Sequence, residues 1–429
     1  LVSAWSAQIS GQEPLADVVL HLSEGPRYIV NRITFVGNTR THDDVIRREM
    51  RLVEGAPFST AALRESLSRL NQLGYFKPLQ GTAKEVHITK TTDRPDALDV
   101  TICVEEQDRH RLEYGGGLSQ TDGLFGNVSY VDPNVLGGGE SLRFSSQQGA
   151  RSSTYQLAFS KPYLRNRITA GVDLFSNKID FLANGTAPGY TVERRGISAR
   201  AGYALRQRSH LFLSYAYESI GTTLDARHVE SRVTPGFAFD TIDNPLTPRR
   251  GSRITAHVDI AGGLLGGTTN YIRPEMEVVQ YVPHTSRTAL GVRASAGWVK
   301  PFGSTNAAPY YLRHFLGGEN QIRGVDIRTV GPIDSEGRAV GGDKYVLFNA
   351  EYYFDAHPRV RLVLFHDAGQ AYAESQPIDL RQLRSSSGIE LRLLVPKLNV
   401  PLRFIYGLNT RRDEFQPARA FTFAVGVAW

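Results

Sequence analysis

Apolar and polar positions along this chain follow two regimes. Up to about residue 107, strand-like alternation is mixed with helical spacing; from about Arg111 onward only period two remains. In the first regime Tyr28–Val36 reads as a strand stopped by Gly37-Asn38. Thr41 before Asp43-Asp44 predicts a helix N-terminus, continued by Val45, Ile46, Glu49 and Met50. A second helix follows Ser59, with Leu63, Leu67, Leu70 and Leu73 on one face, and ends at Gly74. Glu85–Thr89 and Leu98–Glu105 then alternate as strands. The order β-α-α-β-β predicts a small α+β domain over residues 27–107 with its own core. Residues 1–26 are harder to place, with Val18–Leu22 strand-like and Ser23-Glu24-Gly25-Pro26 a turn signal.

In the second regime Ile254, Ala256, Val258 and Ile260 alternate with Arg253, Thr255, His257 and Asp259. Ile389, Leu391 and Leu393 flank Glu390 and Arg392, and Leu402, Phe404, Tyr406 and Leu408 repeat the pattern. A soluble sandwich shows such alternation when its charged face meets water. About 16 segments of this kind, with short turns alternating with longer loops, favour instead a transmembrane β-barrel with a wet lumen over residues 108–429. Closure removes the free edges that a bilayer does not tolerate. Short turns are expected at 162–167, 206–209, 283–287, 355–359 and 396–401, and longer loops near 176–189, 219–230, 301–343, 368–385 and 409–418. An even count of antiparallel strands places both barrel ends on one side, that of the N-terminal domain.

Three stretches of the barrel stand out. Phe421, Phe423, Val425, Val427 and Trp429 form one face of the last strand, with Thr422, Ala424, Gly426 and Ala428 on the other, and an aromatic terminus suits the lipid boundary. The first strand holds Gly115-Gly116-Gly117. Glycine weakens a strand, so the seam between first and last strands is expected to be the weakest pairing, or the glycines only let the strand bend at closure. The longest segment without alternation, 301–343, carries Gly317-Gly318-Glu319-Asn320-Gln321-Ile322-Arg323-Gly324-Val325. Its glycines permit a sharp reversal and its arginine offers a planar fork to carboxylates; the plainer reading is a surface loop with a solvated arginine.

Composition narrows the function. The chain has 41 Gly, 19 Tyr and 20 Phe but 1 Cys, so Cys103 allows neither an internal disulfide framework nor a multi-cysteine metal site, and no cofactor is expected. The net charge of +6 is spread along the chain without a basic run, which excludes a nucleic-acid arm. No run of about 18 apolar residues marks a transmembrane helix. No signal-peptide pattern opens the chain, so a longer precursor is expected. Phosphate-loop, Gly-x-Ser-x-Gly and His-Glu-x-x-His motifs are absent. His366 and Asp367 are neighbours on one strand and point to opposite faces, so no acid/base pair and no enzyme is expected.

The first domain resembles a POTRA (polypeptide-transport-associated) domain. The likeness rests on Glu24-Gly25-Pro26, Ile33-Thr34-Phe35-Val36-Gly37-Asn38, Arg47-Arg48-Glu49-Met50, Arg69-Leu70 and Leu73-Gly74-Tyr75-Phe76. Residues 1–26 then read as the tail of a preceding POTRA domain or a linker. Asn134–Gly139 with Lys161-Pro162-Tyr163, Asp240 with Asp243–Leu246 and Pro248–Gly251, the Ile322-Arg323-Gly324-Val325 stretch, and Phe365–Gly369 extend the resemblance to the POTRA-plus-barrel outer-membrane superfamily. That resemblance implies an inward-folded loop 301–343 whose Arg323, between Ile322 and Gly324, engages Asp367 and Glu351. Val325 departs from the aromatic common at its position, which bears on the packing of the loop tip. It also implies location in the bacterial outer membrane with the POTRA domain in the periplasm. The implied activity is assembly of β-barrel proteins through a lateral seam involving Gly115, Gly116, Gly117, Phe421, Phe423, Gly426 and Trp429. Implied partners are unfolded outer-membrane proteins, outer-membrane lipid and lipopolysaccharide, periplasmic chaperones and the accessory lipoproteins of a Bam-like complex. The alternative within the superfamily is a two-partner-secretion or TamA-like translocation pore exporting a polypeptide.

Overall fold

Sequence order accounts for the first sheet and its two helices. The computed structural model describes residues 2–9, 16–22, 26–108, 110–119, 122–165, 168–183, 187–395, 400–412 and 418–426. Strands β1 (Val2–Ile9) and β2 (Ala16–Leu22) form an antiparallel hairpin. Next come β3 (Ile29–Val36), α1 (Asp43–Glu49), α2 (Thr60–Leu73), β4 (Val86–Lys90) and β5 (Ala97–Cys103). The sheet order is β3-β5-β4, with β3 parallel to β5 and β4 antiparallel to it. Ser59 caps α2 by accepting from the Ala62 amide at 3.3 Å, and Gly74 ends it at φ 71, the left-handed turn that glycine makes without strain. At α1 the cap position is His42 rather than Thr41, and its side chain makes no capping bond. Val30, Ile33, Ile46, Leu67, Leu70, Val100 and Ile102 fill the core between helices and sheet.

Chain contacts divide the molecule into two units. The first is Leu1–Arg109 with Pro133–Gly139, the second His110–Asp132 with Glu140–Trp429. The second is a closed barrel. Its strands are β6 (Arg111–Ser119), β7 (Gly123–Asp132), β8 (Ser141–Gly149), β9 (Ser152–Arg165), β10 (Ile168–Phe181), β11 (Tyr190–Arg206), β12 (Ser209–Thr222) and β13 (His228–Asp240). They continue as β14 (Gly251–Ala261), β15 (Tyr271–Pro283), β16 (Thr288–Trp298), the two-residue β17 (Lys300–Pro301), β18 (Lys344–His357), β19 (Val360–Tyr372), β20 (Arg384–Val395), β21 (Val400–Arg411) and β22 (Arg419–Val425). Sixteen are long, each pairs antiparallel with the next, and β22 lies beside β6 to close the ring.

Alternation along β19 shows how the wall is built. Leu362, Leu364 and His366 are exposed on the outside, while Arg361, Val363, Phe365 and Asp367 are buried on the inside. The outer face is thus mostly apolar, while the lumen face carries the charged Arg361 and Asp367 among the apolar Val363 and Phe365.

Several turns are tighter than expected. β9 runs through Lys161-Pro162-Tyr163 rather than turning there, and β10 runs to Phe181. The polar run Ser176-Asn177-Lys178 reads as loop but pairs with Arg195, Arg194 and Glu193. Strands that outgrow the apolar belt carry no outward apolar requirement, so polarity alone misplaces their ends. Loops shorten accordingly to 182–189, 223–227 and 373–383. The turns 206–209 and 283–287 and the long segment between Pro301 and Lys344 fall where expected. The expected turn at 396–401 lies mostly outside the described residues.

Candidate functional site

The loop between β17 and β18 folds inward, and its stretch 316–330 is largely buried. Leu316, Ile322, Val325, Val330 and Leu347 form one buried cluster, so Val325 fills its place at the tip by aliphatic contact. Two glycines make the reversal possible. Gly317 stands at φ 116, where a Cβ would meet the Asp326 carbonyl oxygen at 2.1 Å. Gly324 stands at φ 81 against the barrel wall, where a Cβ would lie 3.0 Å from the Gly407 Cα. The Gly324 carbonyl accepts a 2.8 Å hydrogen bond from Asn409 Nδ2 on β21.

This reversal carries Arg323 into the lumen, where its side chain is 2 % exposed. Nε and Nη2 donate to the two oxygens of Asp367 on β19, each at 2.7 Å, and the Arg323 amide adds a third bond to Asp367 at 3.0 Å. Nη1 donates to Glu351 on β18 and, at 2.8 Å, to Glu390 on β20. The guanidinium also lies over the Phe365 ring, 3.9 Å from its centroid. The bidentate fork suits the planar carboxylate, and the ring covers the remaining face.

Four further residues complete the network. Arg392 bridges Glu351 and Glu390, with a 2.7 Å bond to each. Arg403 donates to Glu390 at 2.7 Å, to the Asn320 side chain at 2.8 Å and to the Glu319 carbonyl at 3.0 Å. Asn349 joins Asp367 to the Gln321 carbonyl at 2.8 and 2.7 Å, and Tyr353 donates to Glu351. Three arginines (Arg323, Arg392, Arg403) face three carboxylates (Glu351, Asp367, Glu390), so the buried charges cancel. Burial of so many charges is tolerable only because each is paired and hydrogen-bonded.

Arg323, Asp367 and Glu351 therefore meet, with Ile322 and Gly324 setting the reversal beside them. Glu390, Arg392, Arg403, Asn349 and Tyr353 belong to the same network and were not singled out in the sequence. Alternation does place Glu390 and Arg392 on the lumen face of β20 and Arg403 on that of β21, which is the signal that could have found them.

The loop holds the wall at two more places. Tyr311 donates to the buried Glu230 of β13 at 2.7 Å, and Tyr271 donates to the same carboxylate at 3.0 Å. Arg328 stands at φ 63, the positive-φ non-glycine among the described residues. Its guanidinium lies 4.6 Å from the Phe181 centroid, 4.4 Å from Tyr190, 4.6 Å from Phe315 and 5.6 Å from Tyr310.

At the seam, Gly115, Gly116 and Gly117 lie in β6. A Cβ on Gly115 would meet the Asn127 side chain at 2.9 Å, and one on Gly117 the Phe125 ring at 2.7 Å and the Val425 carbonyl at 3.3 Å. The glycines thus admit close neighbours from both sides. Phe421 and Phe423 are exposed on the outer face of β22, and Ala424 is buried. Gly426 is a bend beyond the strand at φ 133 rather than part of its inner face. Trp429 lies outside the described residues.

Comparison with known proteins agrees with this architecture. Residues 134–429 match the Omp85 superfamily domain, and residues 28–107 match a POTRA model described as the surface antigen variable number repeat. Outer membrane protein assembly factor BamA of Nitratidesulfovibrio vulgaris is 27% identical over 98% of this chain and 54% of its own length. BamA of Neisseria meningitidis serogroup B is 26% identical over 96% and 54%. The chain thus spans about half the length of these relatives. The crystal structure of BamA from Haemophilus ducreyi lacking POTRA domains 1-3 superposes with a TM-score of 0.86 at 20% identity, covering 99% of this chain and 89% of that one.

Proposed function

This chain belongs to the Omp85 superfamily, and from that premise we propose that it is an outer-membrane protein assembly factor that folds and inserts β-barrel proteins. The observation that carries the reading is the barrel itself, closed by β22 beside β6 around a loop pinned through Arg323. In this account the N-terminal unit, in the periplasm, receives unfolded outer-membrane proteins, handed on by periplasmic chaperones and accessory lipoproteins. The exposed edges of the three-stranded sheet suit strand addition to an extended client. The β6–β22 seam then opens sideways, and each freed edge templates new strands. Burial of the client's apolar belt in outer-membrane lipid and lipopolysaccharide drives the process, with no covalent step and no nucleotide. The pinned loop keeps the wall from β18 to β20, on one flank of the seam, rigid while the seam moves.

The test is reconstitution in liposomes, with the folding rate of an unfolded outer-membrane barrel compared against empty liposomes. Acceleration is expected. Absence of acceleration combined with passage of a soluble polypeptide through the lumen would replace this reading with the secretion pore.

A further inference from the structure

We propose that Arg328 is a second latch of the inward loop, and that Arg323 and Arg328 together brace the barrel across its seam. Arg323 fixes the loop to β18, β19 and β20 through Glu351, Asp367 and Glu390. Arg328 fixes it to the other flank of the seam, where its guanidinium packs against the stacked rings of Phe181 at the end of β10 and Tyr190 at the start of β11. Phe315 and Tyr310 of the loop complete the cage, and the Tyr310 hydroxyl lies 3.0 Å from Nη2. Arg328 follows Arg323 by five positions, so the chain between them spans at most about 18 Å. Walking from β20 through the seam to β10 crosses β21, β22, β6, β7, β8 and β9. The short segment 323–328 is a chord across that arc. Widening the seam pulls on the chord, which is folded by a 3.2 Å bond from the Val325 amide to the Ile322 carbonyl, and on the latches at its two ends.

Arg328 is the end that releases. Arg323 is held by three buried carboxylates, whereas Arg328 is held by rings and one hydroxyl, contacts that cost less to break. Its backbone occupies the left-handed region that an arginine rarely adopts, and leaving the cage relieves that strain. The latch also borders the seam. A cavity of about 440 Å³ is lined by Leu118 and Ser119 of β6, Phe423 of β22, and Phe181, Ile327 and Arg328. Arg328 is therefore a positioning residue, acting on the seam through the loop. The brace bears on function only if the seam is the insertion route proposed above, so its test needs no client protein.

Spin labels at Leu118→Cys of β6 and Phe423→Cys of β22, which line one cavity at the level where Gly117 lies beside the Val425 carbonyl, with Cys103→Ser, report the separation of β6 and β22 in lipid nanodiscs. The parent is expected to give one narrow distance. Arg328→Gly, which removes the guanidinium and suits the backbone, should add a population longer by at least one strand spacing, about 4.8 Å. Tyr190→Leu, which leaves the arginine in place, should add the same population to a smaller extent. Adding Arg323→Ala to Arg328→Gly should widen the seam no further, because one freed end already releases the chord. Unchanged distances in both Arg328→Gly and Tyr190→Leu, whatever happens to thermal stability, would overturn the brace, as would additive widening in the double variant. If Arg328→Gly widens the seam while the parent fails to speed client folding, the insertion reading falls and the brace stands.

Discussion

Removing the Arg323 guanidinium would leave Asp367 without its fork and leave Glu351 and Glu390 sharing Arg392 and Arg403. The lumen would then hold one uncompensated negative charge. Breaking one partner of a buried ion pair costs about 3–5 kcal/mol, and Arg323→Ala is expected to lose that much, read as a lowered midpoint of thermal unfolding. Arg323→Lys should recover only part of it, because an ammonium cannot bond both Asp367 oxygens in one plane. An alanine variant as heat-resistant as the parent would show that the network contributes nothing net. A second residue prediction is steric. Gly407→Val should push the loop off β21, since even a Cβ there would lie 2.9 Å from Gly324 Cα. Proteolysis at Arg323, silent in the parent, is the readout.

At the level of elements, Glu106 ties the turn before α1 to the end of the POTRA sheet. It accepts from the Thr41 amide at 2.6 Å and the Thr39 hydroxyl at 2.8 Å. Partial burial works against its charge, but these bonds and that of the Arg40 amide outweigh it and hold the carboxyl below its usual 4.5. A carboxyl lowered in the folded state stabilises above its unfolded value and loses that contribution as pH falls through the folded one. Glu106→Gln should therefore be less stable than the parent at neutral pH, and the gap should close as pH drops below 4.5. A gap independent of pH would mean that the charge is not what matters. Elements were legible because their periods are: Leu63, Leu67 and Leu70 gave the helix face, and alternation put Glu351 and Asp367 inside. Which inward residues meet was not legible, because strand tilt and stagger set which levels of neighbouring strands coincide. The lumen-facing positions of Glu390, Arg392 and Arg403 are therefore readable from the alternation, but their meeting with Arg323 is not. Arg328 has no local signature at all: nothing in Asp326-Ile327-Arg328-Thr329 demands a left-handed arginine, and what holds it are rings far from it in sequence, Phe181, Tyr190, Tyr310 and Phe315.

For the molecule as a whole, the pinned loop and the seam divide the barrel's work. The wall from β18 to β21 is fixed to the loop by charge, while β22 meets β6 at a strand carrying three consecutive glycines. A barrel that only conducted would have no need to open between its first and last strands. The decisive measurement is client folding on liposomes with a reducible disulfide joining β6 to β22. The account predicts that the oxidised protein folds clients no faster than empty liposomes and that reduction restores the acceleration. Equal acceleration in both states would contradict it, because assembly would then proceed without the seam.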